Sequence, residues 1–473
     1  MNEKTKSILK NFNYTVTANF LVLGISVILN LVVPKYLNVT EYGFWQLYIF
    51  FSGYVAFFHF GWIDGIYLKI GGEEYQNLNK SSLGTQFYYL FILQLILATA
   101  LLIYVFFFIS DINRKIILGA TACTLVITNI KSLILFIFQS TNRIKEYAQL
   151  SRNDRYFYLV GAVCYLLLGG RSFVILIVLD VLSKLIITLW GCSRIKDIIF
   201  CKREKLSTII LEIKDNIKIG SNLMLGHIAS MLILGVSRFF VEDNWNIEMF
   251  GKLSFSLSIS SMFMLFIGAI SVVLYPTLRR ENQENLPNLY IHIRELLVPL
   301  TLSLLVFFYP LRVILEWWLP TFNESMFFMG ILFPIVVYEG RTSLLINTYL
   351  KTIRQEKIIL VSNLITLLVS TLLSLISVYM FNNIYLTVIS ITISLAFRCI
   401  IAEIMLTKRL KIKTGVNNVM ESILILTFIV CNLFFENTIS LYIYISLFIV
   451  YILLRITKIR ISFKYFINSM KIS

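Results

Sequence analysis

Apolar residues run in blocks of roughly 20 along almost the whole chain, separated by short clusters rich in Lys, Arg, Asp, Glu and Asn. At 1.5 Å per helical residue, blocks of that length match the hydrocarbon thickness of a bilayer. They are continuous, unlike the alternating ten-residue segments of a transmembrane barrel. The pattern predicts spans near 12–33, 43–63, 85–109, 116–139, 155–169 and 172–191, and then near 219–240, 250–275, 292–315, 326–350, 358–381, 384–406, 418–435 and 438–454. The expected fold is all-α: a polytopic helical membrane protein of about 14 transmembrane helices. Residues 1–191 are expected to form an N-terminal six-helix bundle and 215–407 a C-terminal one. Between them, 192–214 reads as a cytoplasmic amphipathic connector, with Ile195, Ile198, Ile199, Ile209, Ile210 and Ile213 between basic residues. Residues 408–473 add two extra transmembrane helices and a basic tail.

Composition agrees with hydrocarbon as the main solvent: 58% of the 473 residues are hydrophobic and only 14% charged. The first apolar run is too long for a signal segment and lacks a small-residue cleavage site, so it is expected to be a retained span. The six cysteines show no metal-ligand spacing, and neither disulfides nor a metal site nor a cofactor is expected. A formal charge of +16 could suggest nucleic acid, but the basic residues are spread over connectors and not gathered on a water-facing domain. Their distribution follows the positive-inside rule instead. One set of alternate connectors, including both termini, holds about 31 of the 42 Lys and Arg residues, and the other about six. Both termini are therefore expected on the cytoplasmic side.

An internal repeat is visible. Glu41, Gly43, Gly61 and Tyr67 match Glu248, Gly251, Gly268 and Tyr275 at an offset near 208, and "QSTNRIKEYAQL" matches "TYLKTIRQEKIIL", with Arg143 opposite Arg354. The offset holds an even number of spans, which implies two parallel six-helix repeats.

The stretch "VPKYLNVTEYGFWQLYIFFSGYVAFFHFGWIDGIYLKIGG", the connector "FQSTNRIKEYAQLSRNDR" and "NTYLKTIRQEK" resemble the polysaccharide flippases of bacterial O-antigen, capsule and teichuronic-type clusters. These belong to the multidrug/oligosaccharidyl-lipid/polysaccharide exporter superfamily. The resemblance covers nearly the whole chain, including the layout of six, six and two spans. It implies a non-enzymatic flippase that moves an undecaprenyl-diphosphate-linked oligosaccharide across the bacterial inner membrane by alternating access, for surface polysaccharide assembly. Membrane lipids and a polysaccharide polymerase are the implied partners, and nucleic acid is not. Peptidoglycan-precursor flippases of the superfamily carry essential arginines in the first span. Phe12 to Val33 contains none, so that substrate is not expected.

Ionisable groups inside a bilayer are costly and mark pairs, water or function. Asp64 follows twenty uncharged residues, beside His59, Gly61 and Gly65. Together they suggest a bent second span whose polar groups face a cavity and titrate with a coupling ion, H+ or Na+. Gly61, Gly65 and Gly268 are the hinge candidates. Glu339 and Arg341 fall near the middle of span ten on different helix faces, which points to inter-helix partners or a cavity role. Lys131 and Arg238 could supply positive charge for a diphosphate. Asp180 and Lys184, four apart, are expected to neutralise each other. Arg398 and Glu403 are expected to snorkel to the cytoplasmic side, and His227 to be a satisfied interior histidine. A cation-coupled drug exporter of the same superfamily would want an acid-dominated site, against the mixed charge here. A membrane glycan polymerase would need larger extramembrane loops, and the absence of a GxxxxGK[ST] loop argues against nucleotide hydrolysis.

Overall fold

The structure is a computed structural model and describes residues 21–412 and 415–472, without the side chains of 206, 265–277, 279–280, 415–417 and 466–472. The described residues contain helices and turns and no strand. They divide into two compact units, Met1–Ile228 and Ala229–Ser473. Every one of the fourteen expected spans falls on helix, the first being described only from Leu21 onward. Eight helices are long and apolar enough to cross a membrane by length and composition, or ten if each of two bent pairs is one span. The protein is a multi-pass helical membrane protein.

The first unit begins with α1 (Leu21–Tyr36), α2 (Val39–Tyr54) and α3 (Trp62–Lys69). There follow α4 (Lys80–Phe108), α5 (Ile112–Ser140), α6 (Ile144–Leu167), α7 (Phe173–Arg194), the short α8 (Lys196–Ile199) and the start of α9 (Leu206–Asn244). Short polar connectors suffice because their side chains cap the next helix: Asn38, Asn79, Asp111 and Ser172 each accept a hydrogen bond from a backbone N–H of the first turn. The burial pattern is that of a protein in hydrocarbon. Ile96, Ile103 and Phe106 of α4 point outward, whereas Gln94, Thr124 and Asn129 are buried. The core of this unit joins Trp62, Ile63 and Ile66 to Leu90, Ile134 and Phe138.

Two expectations change here. The connector is not one interfacial helix: α8 ends at Ile199, and Ile195 and Ile198 are buried in the same core. A Cβ on Gly84 would overlap the Ile198 carbonyl, so α8 lies directly on the α4 backbone. Asp197 is tied to Lys80 at 2.8 Å and accepts from the Tyr75 hydroxyl at 2.7 Å. Burial raises its carboxyl pKa, but these two partners outweigh it and hold the group below its ordinary value. The second change is span five, which starts at Ile144 and not at residue 155. The charged stretch through Arg155 is thus helix and not connector, because Asp154 finds a partner inside the unit and can be drawn in.

The second unit contains the rest of α9, then α10 (Ile247–Arg280), α11 (Leu286–Ser303), α12 (Phe308–Trp318), α13 (Asn323–Leu332) and α14 (Ile335–Gly340). A π-helical stretch, Arg341–Asn347, leads into α15 (Thr348–Thr352). It ends with α16 (Glu356–Leu375), α17 (Ile384–Leu410), α18 (Gly415–Phe434) and α19 (Asn437–Ile472).

The repeat is visible in backbone detail. Asn38 and Asn246, 208 apart, cap α2 and α10 in the same way. After α5, Asn142 takes a left-handed conformation, its N–H donates to Gln139 and the Arg143 N–H donates to Phe138. After α15, left-handed Arg354 donates to Lys351 and Gln355 to Leu350, the same helix-ending motif. This pairs Arg143 with Gln355, one residue from the register expected. The halves differ in where they break. The second span bends by 59° after His59, whereas its counterpart α10 is continuous through Gly268, whose surroundings lie outside the described residues. In the second unit it is the tenth span that bends, by 45°, at Pro334, which has no N–H to continue the ladder.

Candidate functional site

The bend in span two is built by specific groups. A single 3-10 turn, Val55–His59, replaces the α-helix, and Phe60 and Gly61 follow with positive φ of 54° and 83°. Breaking a helix in hydrocarbon frees backbone groups that water cannot reach. Side-chain amides from α4 and α5 satisfy them: Asn129 Nδ2 donates to the Val55 carbonyl at 2.9 Å and to Gln94 Oε1, and Gln94 Nε2 donates to the Phe58 carbonyl at 3.1 Å. His59 takes part as well, its Nδ1 accepting from the Gly61 N–H at 3.1 Å. An acceptor at Nδ1 places the proton of the neutral ring on Nε2, which stands 3.7 Å from Asp64 Oδ2. Beyond the bend, α3 crosses α9 backbone against backbone. Gly61 lies against Ser221, and a Cβ on Gly65 would overlap the Asn216 carbonyl.

A second polar group in the same unit joins α2, α5, α6 and α7. Lys131 Nζ contacts Asp154 Oδ2 at 2.5 Å, and Lys184 Nζ contacts Asp180 Oδ2 at 2.5 Å. Tyr48 donates to Asp180 at 2.7 Å and lies 3.0 Å from the Thr124 hydroxyl. Asp180 and Lys184 pair as expected, and Lys131 is engaged by a carboxylate.

In the second unit, Glu339 and Arg341 do find partners on other helices. Glu339 pairs with Arg398 of α17, whose Nη1 also donates to Ser230 at 3.0 Å. Arg341 is 3% exposed and donates to Glu421 of α18 at 2.5 Å and to the Cys399 sulfur at 3.0 Å, with Glu403 at 3.3 Å. Arg294 of α11 completes the group, bonding Glu403 at 2.7 Å, Glu421 at 2.8 Å and Asn418 at 2.6 Å. Arg398 and Glu403 therefore do not snorkel: both are buried, because partners within the bundle are nearer than the interface. Arg238 is half-buried, donating to Ser254 at 2.9 Å with its guanidinium 5.2 Å from the Phe250 ring centre. His227, expected inside, is exposed.

No protein-family profile matches the sequence, and no curated protein matches it. Solved structures do match its fold. The lipid II flippase MurJ in an inward closed conformation superposes with a TM-score of 0.66 at 14% identity, covering 94% of this chain and 98% of that one. An inward-facing multidrug resistance MATE family transporter of the MOP superfamily gives 0.59 at 13% identity over 84% of this chain and 94% of that one. An outward-facing MATE structure gives 0.55 at 12% identity, over 85% and 96%. The chain has the MOP transporter fold.

Within the first unit, the sequence-predicted candidates fall into two separate groups. His59, Asp64, Gly61 and Gly65 gather at the bend, Lys131 belongs to the α5–α6–α7 group, and Glu339, Arg341 and Arg238 lie in the second unit. Sequence reading missed Gln94 and Asn129, which carry no charge, and Arg155, which it left in a connector. The signal for Arg155 was span length. A span at 155–169 is too short for a bilayer and has to extend backward. Because neutral His59 and Asp64 meet at the bend, replacing Asp64 with Asn should lower transport while membrane abundance stays at the wild-type level. Normal transport by this variant would reduce Asp64 to a helix-packing residue.

Proposed function

We propose that the protein is an alternating-access exporter that flips an undecaprenyl-diphosphate-linked oligosaccharide across the bacterial inner membrane for surface polysaccharide assembly. The supporting observation is the polar group of α5, α6 and α7, where Lys131, Arg155 and Lys184 outnumber Asp154 and Asp180 on a MOP fold. A cationic excess suits an anionic lipid-linked substrate, and the sequence resemblance supplies the oligosaccharide. Both termini are cytoplasmic in this reading, so a cysteine at Lys205, in the connector before α9, should resist membrane-impermeant thiol reagents, and labelling there would reverse the orientation. Coupling to H+ or Na+ is assigned to His59 and Asp64. A cation-coupled drug exporter is the second reading, favoured by the MATE likeness and by the Asp64 carboxylate at the bend. Depletion of the protein separates the two. Accumulation of lipid-linked oligosaccharide on the cytoplasmic face with loss of surface glycan supports the flippase, whereas intact glycan with increased sensitivity to cationic drugs supports the exporter.

A further inference from the structure

Arg155 is placed unlike the other mid-span cations. It lies eleven residues into α6, about 16 Å from the Ile144 end at 1.5 Å per residue, which is near the middle of a bilayer core. Lys131, nine residues before the end of α5, meets Asp154 at matching depth. Yet Arg155 makes no hydrogen bond or ion pair with any described residue, while Asp154 and Asp180 stand within electrostatic reach.

Its direction is fixed by helical periodicity. At 100° per residue, Ala148, Ala162 and Leu166 lie within about 20° of Arg155 around α6. All three are buried. Phe157, Val160 and Cys164 occupy the opposite face and are exposed, as a lipid-facing stripe would be. Arg155 is nonetheless exposed. Arg155 is thus an exposed cation on the otherwise buried stripe of α6, away from the lipid-facing one. Two turns away on either side the stripe carries only alanine.

We propose that Arg155 is the anion-binding residue of the first unit and that its ligand is the diphosphate of a polyprenyl-linked substrate. This rests on the flippase reading and assigns that substrate's charged group to a position. A guanidinium in mid-membrane is costly unless some group needs its charge. Lys131 and Lys184 are neutralised by their own aspartates, so one positive charge remains for a ligand. The two pairs act as walls: each aspartate is held by a lysine and is less free to collapse onto Arg155. Arginine also offers a planar fork that can bind phosphate through two parallel hydrogen bonds, as an ammonium cannot.

The test uses the full-length protein in detergent, with farnesyl diphosphate as the probe and farnesol, inorganic pyrophosphate and phosphatidylglycerol vesicles as comparators. Wild type should bind farnesyl diphosphate, more weakly as salt rises, and farnesol poorly. Arg155→Ala should weaken binding roughly tenfold or more, the range of a charge-assisted bond, and Arg155→Lys should recover part of it. Arg155→Gln, which keeps length and polarity, covers the case in which alanine perturbs the fold, and should bind like alanine. Unchanged affinity in the alanine and glutamine variants overturns the site. It leaves the flippase reading intact if depletion still causes lipid-linked oligosaccharide to accumulate. Equal competition by phosphatidylglycerol would make this a phospholipid headgroup site and overturn the diphosphate assignment. Competition by inorganic pyrophosphate supports recognition through the diphosphate alone.

Discussion

Replacing Glu421 with alanine should deplete the protein from the membrane. Glu421 accepts two hydrogen bonds from Arg294 and one from Arg341, and shares both arginines with Glu403. Two cations and two anions balance, and all four residues are buried. Deleting one carboxylate strands a buried guanidinium, a loss of about 3–5 kcal/mol. That is a large part of the stability of a typical fold. Arg341→Ala should act the same way with the opposite sign, leaving a carboxylate behind. Its effect should therefore appear first as reduced abundance and not as a defect in handling substrate. The combined change Glu421→Met with Arg341→Met restores the balance, since Arg294 and Glu403 keep each other, and should recover most of the lost protein. Abundance in membrane fractions and melting in detergent measure this. A double variant no better than Glu421→Ala would show that the group is not held by charge balance.

The next largest effect is expected at Gly65. A Cβ there meets the backbone of Asn216, and a Cβ at Gly220 would meet the Gly61 carbonyl and the Gly65 nitrogen. The neighbours are main-chain atoms of two helices and cannot rotate aside. One methyl must push α3 from α9, which also disturbs the bend at His59. Overpacking commonly costs about 1–3 kcal/mol, and a backbone clash belongs at or above the top of that range. Gly65→Ala should thus melt well below wild type and fail to transport. Gly24, whose added Cβ meets nothing within 4 Å, provides the matched control, and Gly24→Ala should be neutral. Equal melting of the two alanine variants would contradict the close crossing.

What could be read in the sequence follows from what hydrocarbon demands. Every apolar block became a helix because a continuous apolar run in lipid satisfies its own backbone only as a helix. The bend at Gly61 and the inter-helix partners of Glu339 and Arg341 were also legible, the first from glycine spacing and the second from helix faces. Span five was not. Its first half carries Arg152, Asp154 and Arg155, and charge looks the same in a connector as in an interior with partners. Arg398 and Glu403 misled for a related reason: they stand near a helix end, and nothing local reveals that Glu339, Arg294 and Arg341 lie closer than the interface. Gln94 and Asn129 are uncharged, so nothing marked them as supports for a bend that lies 35 or more residues earlier in the chain.

The buried charge group of the second unit also constrains how the chain is made. Arg294 precedes Glu421 by 127 residues and Arg341 precedes it by 80. At about 5–20 residues per second, Arg294 waits roughly 6–25 s for Glu421 to leave the ribosome. When they emerge, α11 and the tenth span each present a guanidinium whose counter-charges, Glu403 and Glu421, are still unsynthesised. Lone insertion of either helix into lipid is then unfavourable, and both are better held at the translocation machinery until α18 arrives. Biogenesis of this unit should be completed by its penultimate helix, and nascent chains truncated before residue 421 should be the ones cleared by membrane quality control.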